Sequence, residues 1–319
     1  MKKILFLCFL CVAGSLHAQA SSKSITPELE DALFWEISGN GLTSSSFLYG
    51  TFHTMNGSFL DSVPHFYTSL GKVKQVVAEV DMVNQKIISP QQEDIMSFAM
   101  PKDTTYPMLF SNEDFKYVDS CLTKVMQQKM YSILKPAYTS LMYTILSTTT
   151  QENIQTGLDK FILTKASENN QKVVGLETME EHMKIVYGFY KSMCAGGVKD
   201  QADMLLFQLR NPQLTKEVMK EMESLYRRQM LTKLTEPSQK MEGKIKEFFP
   251  QYSDAKAEEA SEKMMADLVD VRNDNWLKKI PQMIKDNSSL IAVGALHLTG
   301  EKGLINQLRK MGYTLKPVK

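Results

Sequence analysis

Polar and apolar positions set the first boundaries. Through "ALFWEISGNGLTSSSFLYGTFH" two short aromatic and aliphatic runs flank Gly39-Asn40-Gly41, which predicts a β-hairpin. "DSVPHFYTSLGKV" reads as a short helix, and "KQVVAEVD" as a β-branched strand ending in acids. Ser111 and Asp114 open a capped helix over 111–127, and a second covers about 136–148. After the polar break "STTTQEN", Leu158, Phe161, Ile162 and Ala166 recur at helical spacing. "QKVVGLET" is then a short strand ending at Glu177, and Met179, Met183, Val186 and Tyr190 share a helix face. From about 199 to 284 the pattern is helical, broken near Pro237 and Pro250. "SSLIAVGALH" is a buried-type strand, "EKGLINQLRKMG" a helix closed by glycine, and "YTLKPV" a last strand.

Strands therefore gather at both ends and in the middle. The predicted class is α/β (α+β): one central mixed sheet with helical insertions at about 85–155 and 190–285. The first and last parts each read strand, G-x-x-H, loop, helix, consistent with a diverged internal pseudo-repeat.

Composition narrows the setting. "MKKILFLCFLCVAGSLHAQA" has a basic start, an apolar stretch and Ala18-Gln19-Ala20, the pattern of a secretory leader cleaved after Ala20. Bulky residues precede Cys8 and Cys11, which argues against lipidation. Residues 21–319 are then expected as a single domain, periplasmic or secreted, without membrane insertion. The formal charge of +1 becomes −1 when Lys2 and Lys3 leave, so there is no electrostatic case for nucleic acid. Cys121 and Cys194 remain, and their spacing leaves a disulfide and two free thiols equally open.

The chemistry concentrates at predicted strand ends. Of five histidines, His53 and His297 each stand three residues after a glycine that ends an apolar run. In α/β sheets ligands collect beyond the carboxyl ends of strands. Glu79 and Glu177 end two further Val-rich strands, where a charge is rare unless paired or ligating. Two imidazoles and two carboxylates are groups that hold a divalent metal. The blander alternatives are a helix cap for Glu177 and a salt bridge for Glu79. His65 reads as a surface residue and His182 as a core one. The methionines between Met179 and Met283 read as helix-packing filler ahead of an adaptable groove.

"LYGTFH", "VVAEVD", "GLD", "VVGLET", "RNDNW" and "VGALHLTGEKGLINQLRKMGYTL" resemble, in order and rough spacing, the TraB/PrgY/GumN family. That family includes Tiki-type proteins, described as metal-dependent proteases with two G-x-x-H motifs. It is also similar to the erythromycin-esterase and ChaN haem-binding group, which implies a sheet core with its site at the strand ends. Carried onto matching positions, the resemblance implies His53, His297 and one of the two glutamates as ligands of a divalent ion (Zn, Mn or Co), with the other glutamate as proton acceptor. Glu79 is the first choice for acceptor because it leaves its strand beside the first G-x-x-H, which leaves Glu177 as the ligand. Arg272, beside Asn273, is expected as a clamp on substrate or oxyanion. Arg272 could equally serve as a salt bridge to Glu177 or Glu79. The expected function is an exported metal-dependent hydrolase, foremost a peptidase acting on a peptide or protein. Two alternatives stand beside it: a binding protein holding haem, metal or a signalling peptide, and a metal-independent, esterase-like hydrolase. Neither H-E-x-x-H nor G-x-S-x-G occurs in the chain.

Overall fold

A computed structural model describes residues 29–86, 88–148, 157–249 and 262–319. The leader assigned to residues 1–20 and the break expected at Pro250 lie outside the described residues. Six strands form one mixed sheet: β1 Phe34–Gly39, β2 Ser46–Thr51, β3 Gln75–Ala78, β4 Lys172–Gly175, β5 Ser289–Gly294 and β6 Tyr313–Pro317. Their order is β4-β3-β5-β2-β1-β6. The pairs β4/β3, β3/β5 and β5/β2 are parallel, and β1 runs antiparallel to both β2 and β6.

The hairpin forms where the glycines predicted it. Gly39, Asn40 and Gly41 all take positive φ, a run that residues with bulkier side chains resist, and the turn sets Phe34 opposite Tyr49. Strands β2 and β3 are buried along their whole length, and β5 at every position before Gly294. Such strands need cover on both faces, which explains their unbroken apolar runs. One cover is the helix Leu158–Glu168, burying Leu158, Ile162, Leu163 and Ala166.

The helical blocks between β3 and β4 and between β4 and β5 pack on each other. Val118, Leu122 and Tyr131 from the first share a core with Leu205 and Leu209 from the second. A buried bond from Ser140 Oγ to Gln208 Oε1 (2.5 Å) ties the helices Pro136–Thr148 and Val198–Arg210. Met193, Met204, Met222, Met241 and Met264 are buried, as packing filler would be. Cys121 and Cys194 are free thiols in separate apolar clusters. No helix among the described residues is long and apolar enough to cross a membrane.

One boundary is corrected. The strand predicted over "SSLIAVGALH" stops at Gly294, and His297 lies on a 3-10 turn, Ala295–Leu298. The unit strand, G-x-x-H, helix, strand occurs from β2 to β3 and again from β5 to β6. Since β6 runs against β1, it points the same way as β5, so both units return to a strand of the same sense.

Candidate functional site

Parallel pairing fixes the site. Across β4, β3, β5 and β2 the carboxyl ends lie along one edge, and each is succeeded by one polar residue: Glu177, Glu79, His297 and His53. Thr51 is paired with Gly294, which brings the two G-x-x-H motifs side by side.

The two motif glycines are needed for different reasons. Neither has positive φ. A Cβ on Gly50 would lie 3.0 Å from the Ala295 Cα and 3.1 Å from Leu298 Cδ2, so the first motif packs directly on the second. A Cβ on Gly294 would lie 3.3 Å from Glu79 Oε1, 3.5 Å from His297 Cδ2 and 4.0 Å from His53 Nε2. That glycine therefore keeps a side chain out of the point where three functional side chains converge.

A short helix, Val271–Trp276, closes the cluster, entered through the π-helical segment Ala266–Asp270. Such segments cluster at functional sites. Arg272 and Trp276 are four residues apart and so share a face; the guanidinium stacks on the indole at 4.6 Å. All five Arg272 donors are engaged. Nε donates to Glu177 Oε2 (3.2 Å); Nη2 donates to Glu79 Oε2 (2.5 Å) and Glu177 Oε1 (2.6 Å). Nη1 reaches Leu268 O (3.3 Å) and His297 Nε2 (3.2 Å).

Both carboxylates are therefore held ionised. Burial alone would raise Glu79, but Arg272, His297, His53 and the Gly294 N–H together hold it far below the usual carboxylate range. Glu177 is lowered by the same balance: burial raises it, while bonds from His182 and Arg272 prevail.

The two motif histidines differ sharply. The His297 side chain is 6% exposed, its ring 4.4 Å from that of Trp276. Asn273 Nδ2 donates to two backbone carbonyls, so its Oδ1 is the acceptor for His297 Nδ1–H at 2.8 Å. Burial, aided by Arg272 against the pull of Glu79, lowers His297 to about 3. The His53 side chain is 70% exposed, and its Nδ1 lies 2.8 Å from Asp159 Oδ2, the other Asp159 oxygen accepting from Thr51 Oγ1 at 2.5 Å. A carboxylate only accepts, so Nδ1 carries the proton and Nε2 is the atom left for exchange. Asp159 is the main cause that raises His53 above the ordinary imidazole value.

Asp159→Asn should return His53 toward ordinary imidazole titration, read from its ring proton shifts by NMR. An unchanged midpoint would remove Asp159 as the cause. Stability from a raised histidine is fully present below its unfolded pKa and is lost as pH rises through the folded one. That contribution should shrink in the variant.

Glu79, Glu177 and His297 thus all meet at Arg272, with His53 at their edge. The contributions of Asp159, His182, Asn273 and Trp276 were missed from sequence. Asp159 lies in the quoted "GLD", with its acid in the first turn of a helix; His182, expected in the core, is half-buried with Nδ1 2.8 Å from Glu177 Oε1. His65 is exposed, as expected.

Among the described residues, one group could hold a metal ion: Glu79, Glu177 and His182. It shares only Glu177 with the expected trio, and His53 and His297 are outside it. Two carboxylates and an imidazole suit a divalent ion chemically. Yet Arg272 Nη2 already sits 2.5, 2.6 and 3.5 Å from Glu79 Oε2, Glu177 Oε1 and His182 Nδ1. The group does not fit an ion while the guanidinium keeps this place.

Against known proteins, the TraB/PrgY/gumN family matches residues 33–317. No curated protein and no solved structure matches the chain significantly. The expected likeness to the erythromycin-esterase and ChaN architecture therefore rests on sequence alone, within the α/β class that the sheet and helices show.

Proposed function

The chain belongs to the TraB/PrgY/gumN family, and within it we propose a hydrolase of peptide or ester carbonyls that uses His53 for proton transfer. The supporting observation is the convergence at Gly294: the position a Cβ would take there lies 3.3 Å from Glu79 Oε1 and 4.0 Å from His53 Nε2, so an acceptor and a titratable nitrogen flank one point of the sheet edge.

In this reading a water held between Glu79 Oε1 and His53 Nε2 is bonded to the carboxylate and attacks the substrate carbonyl. Neutral His53 Nε2 takes the water's proton as the new C–O bond forms. The imidazolium returns that proton to the leaving nitrogen or oxygen as the scissile bond breaks, giving an acid and an amine or alcohol. Glu79 is a poor proton acceptor because Arg272 and Gly294 already hold its charge, so its part is orientation. Arg272, with every donor engaged, fixes both glutamates and His297. A raised His53 gives a signature: kcat/KM should climb with pH through a midpoint above the ordinary imidazole value.

The experiment is hydrolysis of a panel of unstructured peptides and nitrophenyl esters across pH 5 to 10. Turnover with that alkaline limb is expected. No turnover of any member, or a limb unmoved in Asp159→Asn, would remove the reading.

A metal-dependent hydrolase is the second reading, favoured by the Glu79, Glu177 and His182 group. It requires Arg272 to leave its three partners when the ion enters. A bound divalent ion would supply a Lewis acid for the carbonyl or a more acidic water.

A further inference from the structure

A cavity of about 250 Å³ opens on the other flank of the loop that carries His53. One wall is Phe52 and Met55, which bracket His53 in sequence. The facing wall is the helix Pro212–Arg227, which lines it with Lys216, Met219, Lys220 and Glu223 at three- and four-residue spacing, one face of the helix. The walls are fastened together. Tyr226, on that helix, donates to the Gly50 carbonyl at 2.7 Å, and its ring lies 5.4 Å from that of Phe52. The cavity is therefore registered against the first G-x-x-H motif.

Its chemistry is uneven. Phe52, Met55 and Met219 are apolar, while Lys216 and Lys220 bring two positive charges. Glu223 is neutralised by Arg227, whose Nε and Nη2 both donate to its Oε1 (2.9 and 2.8 Å). Among the described residues neither lysine has an ion-pair partner. The acids that alternate with them on the helix are partly engaged elsewhere, Glu221 by Lys240 and Glu223 by Arg227, which leaves the two exposed lysines as the cations facing this cavity beside the candidate catalytic loop.

We infer that this cavity is a subsite for a carboxylate-bearing residue of a peptide, seated next to the bond presented to His53. The inference rests on the hydrolase reading and names its substrate class. Phe52 and Met55 tie the cavity to the loop that carries His53, so the carboxylate belongs close to the scissile bond along an extended peptide. Lysines are mobile point charges, so they select for charge more than for planar geometry. The apolar floor favours the longer stem of glutamate over aspartate.

Two sources of carboxylate fit, an acidic side chain and a chain terminus, and matched probes separate them. Fluorescein-labelled hexapeptides carrying Glu or Gln, each with a free or amidated C-terminus, would be titrated against His53→Gln by anisotropy, so that cleavage does not intervene. At least tenfold tighter binding of a free carboxylate is expected, falling with salt. That preference should vanish in His53→Gln/Lys216→Met/Lys220→Met and reverse toward basic peptides with Glu at both lysine positions. Preference for Glu over Gln assigns the side chain, and preference for acid over amide assigns the terminus. Equal binding of all four peptides, no binding at all, or a preference that survives loss of both lysines would overturn the subsite. Discriminating binding in a protein that cleaves nothing would leave the subsite standing and remove the hydrolase reading alone.

Discussion

Arg272→Met should destabilise the protein by roughly 3 to 5 kcal/mol, because it strands two carboxylates in the interior. Glu79 and Glu177 are each bonded to the guanidinium, and both are buried. At about 2 to 4 °C per kcal/mol for a chain of a few hundred residues, melting should fall on the order of 10 °C. The pH dependence identifies the cause. In the native protein both glutamates are lowered, so their stabilising effect is present above the ordinary carboxylate pKa and lost as pH falls through the folded values. Without Arg272, burial dominates and raises them, so the variant should gain stability as pH drops from 8 toward 5. Arg272→Lys should fall between, since one ammonium cannot supply five directed donors. Melting scans of the three proteins across pH check this; parallel pH profiles would mean that the guanidinium does not hold the carboxylates ionised.

Gly294→Ala and His53→Gln should each keep the fold and lose turnover. The alanine methyl would press on Glu79 Oε1 at 3.3 Å, a contact relieved by a shift of a few tenths of an ångström, and Gly294 has φ −49°, which alanine adopts freely. That shift falls on the carboxylate that orients the water, and misplacing a reacting group by an ångström costs on the order of a hundredfold. Loss of the His53 ring removes general acid–base catalysis, a factor of about 10² to 10⁴. Since that ring is 70% exposed, melting should fall only by the small contribution of its pair with Asp159. Gly50→Ala should do the reverse: its methyl meets Ala295 and Leu298 at 3.0 to 3.1 Å, and overpacking of this kind costs about 1 to 3 kcal/mol. Steady-state rates and melting temperatures of the three variants decide this. A fully active Gly294→Ala would show that the placing of Glu79 beside Gly294 does not matter to turnover.

The edge of the sheet was legible because a fully buried parallel strand writes itself as an apolar run. A polar residue at the end of such a run needs a reason to be there, and Glu79, Glu177, His53 and His297 stood out on that ground. Their different roles were not legible. Burial separates His297 from His53, and the sequence shows the same G-x-x-H for both. Asp159 is 106 residues from His53, so nothing local links them. The salt-bridge alternative for Arg272 was legible, and it meets both Glu79 and Glu177; that its five donors would also reach Leu268 and His297, on four elements of the fold, was not. His182 was read as core because its helix has an apolar face there, yet a hydrogen bond to Glu177 draws the ring to the cluster. The packing of the two helical blocks on each other also left no mark, since methionine-rich faces fit many partners.

In the reading proposed above Arg272 rather than an ion is the cation at the centre of this site, and turnover by metal-free protein tests that most directly. Protein stripped with chelator and shown by elemental analysis to carry no transition metal would be assayed on the peptide and ester panel, beside His53→Gln treated identically. Undiminished turnover in the stripped native chain, with a loss of a hundredfold or more in His53→Gln, is the result expected. Turnover that disappears on stripping and returns in proportion to one divalent ion per chain would contradict it, and would place an ion among Glu79, Glu177 and His182 with Arg272 displaced.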